Sequence, residues 1–457
     1  MNTITSVFST QKSYFDSNAT KDISFLIEQL KKLKQVLQAN EKLLEEAIYR
    51  DFGKSAFETY LTELSIVYTE INYYIKSIKK LSKRKRVSVG LANFPAKGYI
   101  IPEPLGVTLV IGAWNYPYQL SLLPALTAMA AGNTVIIKPS ELPMRTSQVL
   151  AELINANFDK EYLYVVEGGI EETTELLSLP FDKIFFTGST TVGKIVYEAA
   201  AKNLVPVTLE LGGKSPAIIL KDCDIPMTAK RLVWAKLLNA GQTCVAPDYV
   251  LVDASIKEEL IKYLKIEMDN YPQQADNLPA HYLQIINARN FDRLVNLIDT
   301  TKVCYGGYND RDKRFISPTI LDEVVWEDVI MQEEIFGPLL PVLTFESLDE
   351  IISQIKKRPK PLACYVYGKD KVLIDKILKE VSFGGGAVND SLMHLSTNTL
   401  PFGGVGASGI GNYHGKYGFE TFSHYKSILH KPFWFESNLK YPPYTKQKEG
   451  WLRRLFK

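Results

Sequence analysis

The sequence predicts an α/β protein: a doubly wound parallel sheet followed by a second α/β domain. Three observations carry this. Five short, continuously apolar runs between residues 107 and 211 alternate with helix-length segments, the pattern of parallel strands buried on both faces. The same alternation restarts after Gly212-Gly213. At 457 residues the chain also exceeds one ordinary core.

The elements are taken in order. Leu26, Leu30, Leu33 and Leu37 recur at spacings of four and three with polar residues between them, so a helix buries one face here. Leu61, Leu64, Tyr68, Ile71, Ile75 and Ile78 repeat the period and predict a second helix. Between 87 and 104, Gly90, Pro95, Gly98 and Pro102 break the chain into extended pieces, which suggests a projecting hairpin. Strands are expected over 107–112, 134–138, 162–166, 183–187 and 206–211, with helices including 120–131 and 191–202 between them. In the second domain the expected strands are 217–220, 249–252, 340–345 and 363–367, and the helices include 227–238 and 256–268. No repeat or Ser-rich linker separates the halves. The boundary near Gly212-Gly213 is therefore a tight junction, where clefts commonly hold active sites.

Composition excludes several functions. The 53 basic and 51 acidic residues leave a net charge of +2, which offers no field to recruit nucleic acid. Four cysteines without a Cys-x-x-Cys pair, and five histidines without metal-type spacing, argue against a disulfide framework or a metal site and fit a reducing cytosol. The N-terminus lacks a signal-peptide pattern, and no run approaches the ~18 apolar residues that cross a bilayer. A soluble, cytoplasmic protein is expected. Two basic segments, 79–86 and the tail 451–457, read as a solvated helix end and a frayed terminus, with peripheral contact to an anionic membrane as the sharper alternative.

The chemistry centres on Cys244, in Gly241-Gln242-Thr243-Cys244. Cys223 lies between Asp222 and Asp224, whose charge suppresses a thiolate. Cys364 reads as a buried strand residue and Cys304 as a strand end. Cys244 has no carboxylate until Asp248. An isolated intracellular cysteine is more often inert than catalytic, so context decides.

Glu210 interrupts the apolar end of a strand just before Gly212-Gly213; such a carboxylate is either paired with a lysine or functional. Asn115, in Trp114-Asn115-Tyr116-Pro117, stands at the carboxyl end of the first strand, where its amide can cap the following helix or donate to an oxyanion. Phe186-Thr187-Gly188-Ser189-Thr190-Thr191-Val192-Gly193 runs from a strand into a helix. That suits a phosphate at the helix N-terminus, or a simple cap made by Ser189 or Thr190. Gly404-Val405-Gly406-Ala407-Ser408-Gly409 matches the dinucleotide spacing but follows no strand, and Gly411 and Gly415 break any helix after it, so it reads as a loop.

Taken together, these segments resemble the aldehyde dehydrogenase superfamily, near its class 3 branch of fatty and aromatic aldehyde dehydrogenases. The likeness runs from about residue 26 to 428 and rests on motifs in one order: Trp114-Asn115-Tyr116-Pro117, Lys138-Pro139-Ser140-Glu141, Phe186-Thr187-Gly188-Ser189, Leu209-Glu210-Leu211-Gly212-Gly213-Lys214, Gly241-Gln242-Thr243-Cys244, Glu334-Ile335-Phe336-Gly337-Pro338 and Pro401-Phe402-Gly403-Gly404.

The resemblance implies a Rossmann-type cofactor domain at 1–86 and 105–211, and an oligomerisation hairpin and tail at 87–104 and 424–457. A catalytic domain at 212–400 and a return segment at 401–423 complete it. It implies NAD(P)-dependent oxidation of an aldehyde to the acid, the aldehyde being medium or long-chain aliphatic, aromatic or terpenoid and carotenoid-type. Cys244 would be the nucleophile, forming a thiohemiacetal and then a thioester. Asn115 and the Cys244 backbone N–H would hold the oxyanion, and Glu210 would be the base for hydrolysis.

For the cofactor it assigns Lys138 and Glu141 to the adenosine ribose, the loop Gly188, Ser189, Thr190, Thr191, Val192 and Gly193 to the pyrophosphate, and Glu334 with Phe336 to the nicotinamide end. Glu141 favours NAD, since a carboxylate repels a 2′-phosphate, yet class 3 enzymes often take NADP. A homodimer is implied, and the chain ends before the membrane-anchoring helix that some class 3 relatives carry. Asn412 stands where those relatives usually have arginine. The alternative is a cofactor-independent cysteine acyl hydrolase, which needs a histidine base that the sequence does not pair with Cys244.

Overall fold

A computed structural model describes residues 3–275 and 281–455. Its first sheet places five parallel strands in the order Val207–Glu210, Lys183–Thr187, Val107–Ile111, Thr134–Lys138 and Leu163–Val165. Chain order reverses between Val107–Ile111 and Lys183–Thr187, and in such sheets the crevice beyond those carboxyl ends binds ligands. Val107–Ile111, Thr134–Lys138 and Lys183–Thr187 are buried at every position, which is why they read as unbroken apolar runs.

The helix Pro117–Ala130 is also wholly buried and packs against the N-terminal helices. Of these, Ile23–Ala39 buries Leu26, Leu30, Leu33 and Leu37 as its period predicts, after an Asp22 cap on the Ser24 N–H. The second expected helix is less regular. A short helix, Ala56–Thr59, passes through a π-helical turn, Tyr60–Leu64, into Ser65–Leu81. Leu64, Tyr68, Ile71 and Ile78 are buried, but Leu61 is 43% exposed. The wider π turn shifts the residues before it out of the 3.6-residue register, so the expected apolar stripe does not reach Leu61.

The second sheet has seven strands in the order Val303–Tyr305, Thr319–Leu321, Leu339–Phe345, Tyr249–Asp253, Pro216–Ile219, Ala363–Tyr367 and Gly385–Val388, all parallel except the first pair. Cys304 lies in the strand 303–305, as its reading as a strand end predicts, but the outer strands 319–321 and 385–388 are not expected from sequence. They are three or four residues long, and Gly385-Gly386 carries no apolar pattern.

The segment 87–104 forms an antiparallel arm as expected, Lys85–Val87 with Lys97–Pro104. A third strand, Ser423–His430, completes its sheet. The glycine-rich stretch 404–409 is a loop, and Gly409–Ile410 adds an antiparallel edge beside Leu209–Glu210. Gly415 does not break a helix: Gly415–Thr421 is helical and begins there. Nor is the tail simply frayed, because Lys446–Leu455 is a helix; Phe456 and Lys457 lie outside the described residues. Among the described residues, no helix is long and apolar enough to cross a membrane.

Candidate active site

The turn that presents Cys244 is strained and heavily tied down. After the helix Ile225–Leu237, Asn239 and Ala240 adopt left-handed backbone angles (φ 57° and 50°), a conformation that non-glycine residues keep only when their surroundings impose it. Gly241 follows at φ +74°, and a Cβ there would lie 2.2 Å from the Gly337 carbonyl oxygen. Glu58 Oε1 accepts from the Asn239 N–H at 2.8 Å. The Asn239 side chain donates to the carbonyls of Asn115 and Gln242, each at 3.0 Å. Gln242 in turn donates to Gln284 O at 3.2 Å and accepts from the Ile286 N–H at 3.0 Å.

Asn115 belongs to this network. Its side-chain amide donates to Gln242 O at 3.0 Å, and it caps nothing: the helix Pro117–Ala130 has Tyr116 at its cap position with no side-chain bond. Glu63 fills that role by accepting from the Tyr118 and Gln119 N–H groups.

Cys244 lines a cavity of about 370 Å³ together with Glu210 and Thr187, under walls that are mostly aliphatic and aromatic. Glu210 ends the strand Val207–Glu210, in register with Thr187 and Gly409. It is 3% exposed, and neither carboxyl oxygen has a hydrogen-bond partner. The lysine pairing that sequence left open is absent, and burial pushes the carboxyl well above its ordinary range. An isolated buried acid of this kind is costly to the fold and marks a site candidate.

Cys244 departs from one expectation. The fold brings Glu334 and Glu210 to it, so the thiol does have carboxylate neighbours; burial first, then these charges, push it up to about 12. Backbone N–H groups of Cys244 and Val245 pull the other way. Cys223, Cys304 and Cys364 are raised as well, each chiefly by burial. Cys244 thus differs from the other three by opening onto the cavity rather than by a lack of negative charge. His414 lines the same cavity. Burial lowers it to about 4 and its hydrogen bond goes to the Thr397 backbone; among the described residues no histidine bonds Cys244.

The residues expected to hold a nucleotide lie along the sheet's carboxyl edge. Ser189 caps the helix Thr190–Ala201 by accepting from the Val192 N–H at 3.3 Å. The cap leaves room for a phosphate, since it satisfies only one of the four free first-turn amides. Thr190 Oγ1 donates to Ala407 O at 3.2 Å, and Gly188 and Gly193 permit close packing, because a Cβ on either would meet Phe186 or Leu211 at 2.6 Å.

Lys138 ends Thr134–Lys138, which lies across Val107–Ile111 from Lys183–Thr187. It is buried, donates to Pro139 O at 2.7 Å and lies 3.9 Å from the half-exposed Glu141. At the junction between the sheets the Gly213 N–H supports the Glu334 carboxyl, which burial pushes up to about 8. Gly212 is required there: a Cβ would lie 2.0 Å from Glu334 Oε2. Phe336, itself left-handed at φ 54°, meets the Trp114 ring edge-on at 5.4 Å. Open helix amides, a lysine and carboxylates beyond the strands' carboxyl ends suit a dinucleotide's pyrophosphate and ribose hydroxyls.

Sequence reasoning missed what holds the Glu334 loop. Lys214 bonds Asp248 at 2.6 Å and the carbonyls of Ile330 and Glu333 at 2.8 and 2.9 Å, while Asp248 accepts from the Ile335 N–H at 2.9 Å. It also missed Lys54, Glu58 and Glu63, which look like the polar face of a helix and are buried.

Comparison with known proteins bears on this site. The aldehyde dehydrogenase family model matches residues 4–428. A 4,4'-diaponeurosporen-aldehyde dehydrogenase of Staphylococcus aureus is 49% identical, covering 100% of both chains. The solved structure described as the substrate bound state of Staphylococcus aureus AldH superposes with a TM-score of 0.97 at 48% identity over 100% of both chains. An aldehyde dehydrogenase of Mycobacterium tuberculosis, solved with NAD+, has a TM-score of 0.85 at 26% identity, covering 95% of this chain and 91% of that one.

Proposed function

The chain belongs to the aldehyde dehydrogenase family, and on that premise we propose that it oxidises long apolar aldehydes, carotenoid-type polyenals foremost, to carboxylic acids through a thioester on Cys244. The observation that carries this is the cavity of about 370 Å³, with Cys244 and Glu210 on a lining that is mostly aliphatic and aromatic.

Three hydroxyls on one wall are turned away from a substrate. Thr62, Ser65 and Thr69 donate to the carbonyls of Glu58, Leu61 and Ser65, at 2.7, 2.9 and 2.7 Å. Helix hydroxyls that bond back four residues leave carbon facing outward. A polar aldehyde would lose water along this wall for few partners, whereas an apolar chain gains by burial. The name of the Staphylococcus aureus relative supports the carotenoid-type assignment.

NAD(P) is the cofactor; when bound, its nicotinamide supplies the acceptor for hydride. The rest is the chain's own work. Cys244 Sγ gives up its proton to solvent water and adds to the aldehyde carbon, and the Cys244 N–H with the second Nδ2 proton of Asn115 holds the developing oxyanion. Oxidation at that carbon leaves an acyl group on sulfur. Glu210, once ionised, takes a proton from the water that attacks the thioester, which releases the acid and restores the thiol. Lys138 and Glu141 hold the adenosine ribose, Gly188 to Gly193 the pyrophosphate, and Glu334 with Phe336 the nicotinamide end.

We also read the arm as a homodimer surface. Its edge strand Ser423–His430 exposes Tyr425, Ile428 and Leu429, and an apolar unpaired edge favours pairing with a second chain. The tail helix, with Trp451 and Leu455 exposed beside Arg453 and Arg454, supports peripheral contact with anionic membranes. Four free thiols are consistent with a cytoplasmic location.

The test is a turnover panel of aldehydes from short and polar to long polyenals, run with NAD and NADP. The proposal expects kcat/KM to rise with apolar length; activity confined to short polar aldehydes contradicts it.

A further inference from the structure

We propose that Lys54 and Glu63 form a buried positioning device for the Cys244 turn, acting through Tyr116 and Thr243; this rests on Cys244 being the nucleophile. The two side chains are 0% exposed and their charges lie 2.7 Å apart. A buried ion pair is seldom worth more to stability than apolar residues of the same size. Its partners here lead towards the thiol.

Glu63 Oε1 takes the Lys54 ammonium, and Oε2 accepts from the Tyr118 and Gln119 N–H groups at 2.7 and 3.3 Å. Those amides open the helix Pro117–Ala130, whose positive end suits a carboxylate. The helix start, and with it Tyr116, is thereby fixed from below. Lys54 Nζ stands 4.1 Å from the Tyr116 ring centroid, within cation–π range. At the far end of that ring, the Tyr116 hydroxyl and Thr243 Oγ1 are 2.6 Å apart. Thr243 is the residue next to Cys244.

The π-helical turn Tyr60–Leu64 makes this arrangement fit. Leu61 and Thr62 line the cavity while Glu63, the next residue, is wholly buried behind it. From the same segment Glu58 holds the other side of the turn through the Asn239 N–H. Residues 54–63 thus grip the nucleophile turn at both ends without reaching the cavity's reacting atoms. Lys54 and Glu63 are positioning residues, not catalytic ones.

The test uses the full-length protein and follows iodoacetamide alkylation of Cys244 by mass, beside kcat, KM and thermal unfolding. Tyr116→Phe and Thr243→Val each remove one hydroxyl and keep the packing. Each is expected to slow alkylation and lower kcat by about tenfold, the scale of one hydrogen bond, with KM nearly unchanged. Lys54→Met should do the same, Lys54→Arg should recover most of the rate, and Lys54→Met with Tyr116→Phe should be no slower than the worse single variant within about twofold.

Wild-type alkylation and kcat in a folded Tyr116→Phe protein would overturn the proposal, as would effects that multiply in the double variant. Should Lys54→Met fail to fold, Tyr116→Phe and Thr243→Val still decide. Cys244→Ser separates the two levels: if it turns over normally, the nucleophile assignment has failed rather than the positioning.

Discussion

The side-chain amide of Asn115 donates to the carbonyl of Gln242 at 3.0 Å, tying the loop beyond the first strand of the cofactor sheet to the turn that carries Cys244. One amide proton is spent on this bond, and the second is the one assigned to the oxyanion. Asn115→Ala should therefore lower kcat by about 10²–10³-fold, the usual cost of one oxyanion donor. Asn115→Asp, which places a carboxylate at the same position, should not recover it. Single-turnover kinetics check this, since the loss belongs to the first half-reaction.

Replacing Glu210 with Gln should leave acylation intact and stall hydrolysis. A burst of reduced nucleotide equal to the enzyme concentration, followed by a steady rate lower by about 100-fold or more, is the expected trace. A normal steady rate would remove Glu210 from its role as base.

The same substitution has a stability consequence with a definite sign. Burial raises the folded-state pKa of Glu210 above its unfolded value, so above the unfolded pKa the native state binds the extra proton and stability falls as pH rises. Glu210→Gln should therefore melt at a higher temperature than the parent at neutral pH. The difference should shrink towards zero below about pH 4.3, the ordinary Glu range. Scanning calorimetry at two pH values measures it.

How much of this was legible in the chain depends on what each residue has to advertise. Cys244, Glu210, Asn115 and the 188–193 loop interrupt strong patterns, an apolar strand end or a strand-to-helix junction, and so they stand out. Lys54, Glu58 and Glu63 do not. A charged residue on an amphipathic helix is exposed by default, and nothing local reveals that a π turn and two neighbouring helices bury these three. Likewise the strand Ser423–His430 is mostly exposed along its length, so it lacks the apolar run that marked the core strands. The carboxylates around Cys244 come from 34 residues before it and 90 after, a juxtaposition that only the fold creates.

Rate should follow pH in one direction. Burial raises both Cys244 and Glu210 above their ordinary ranges in the free protein, and both must lose a proton to act. The value of kcat/KM, which reports acylation, should rise steadily from about pH 6 to about pH 9, and the alkaline rise in kcat that belongs to hydrolysis should vanish in Glu210→Gln. A flat or falling profile would contradict the assignment.

Asp248 supports the Glu334 loop through the Ile335 N–H and Lys214. Asp248→Ala should raise KM for the nucleotide by about tenfold, the scale of a charge-assisted bond, and change kcat far less. Steady-state kinetics at saturating aldehyde would show this.

The central claim is that Cys244 carries the acyl group. Intact-protein mass spectrometry of Glu210→Gln, mixed with NAD and a long apolar aldehyde, tests it most directly. The account predicts one added acyl mass per chain, located on Cys244 by peptide mapping and absent from a Cys244→Ala, Glu210→Gln protein. An adduct elsewhere, or full turnover by Cys244→Ala, would contradict it.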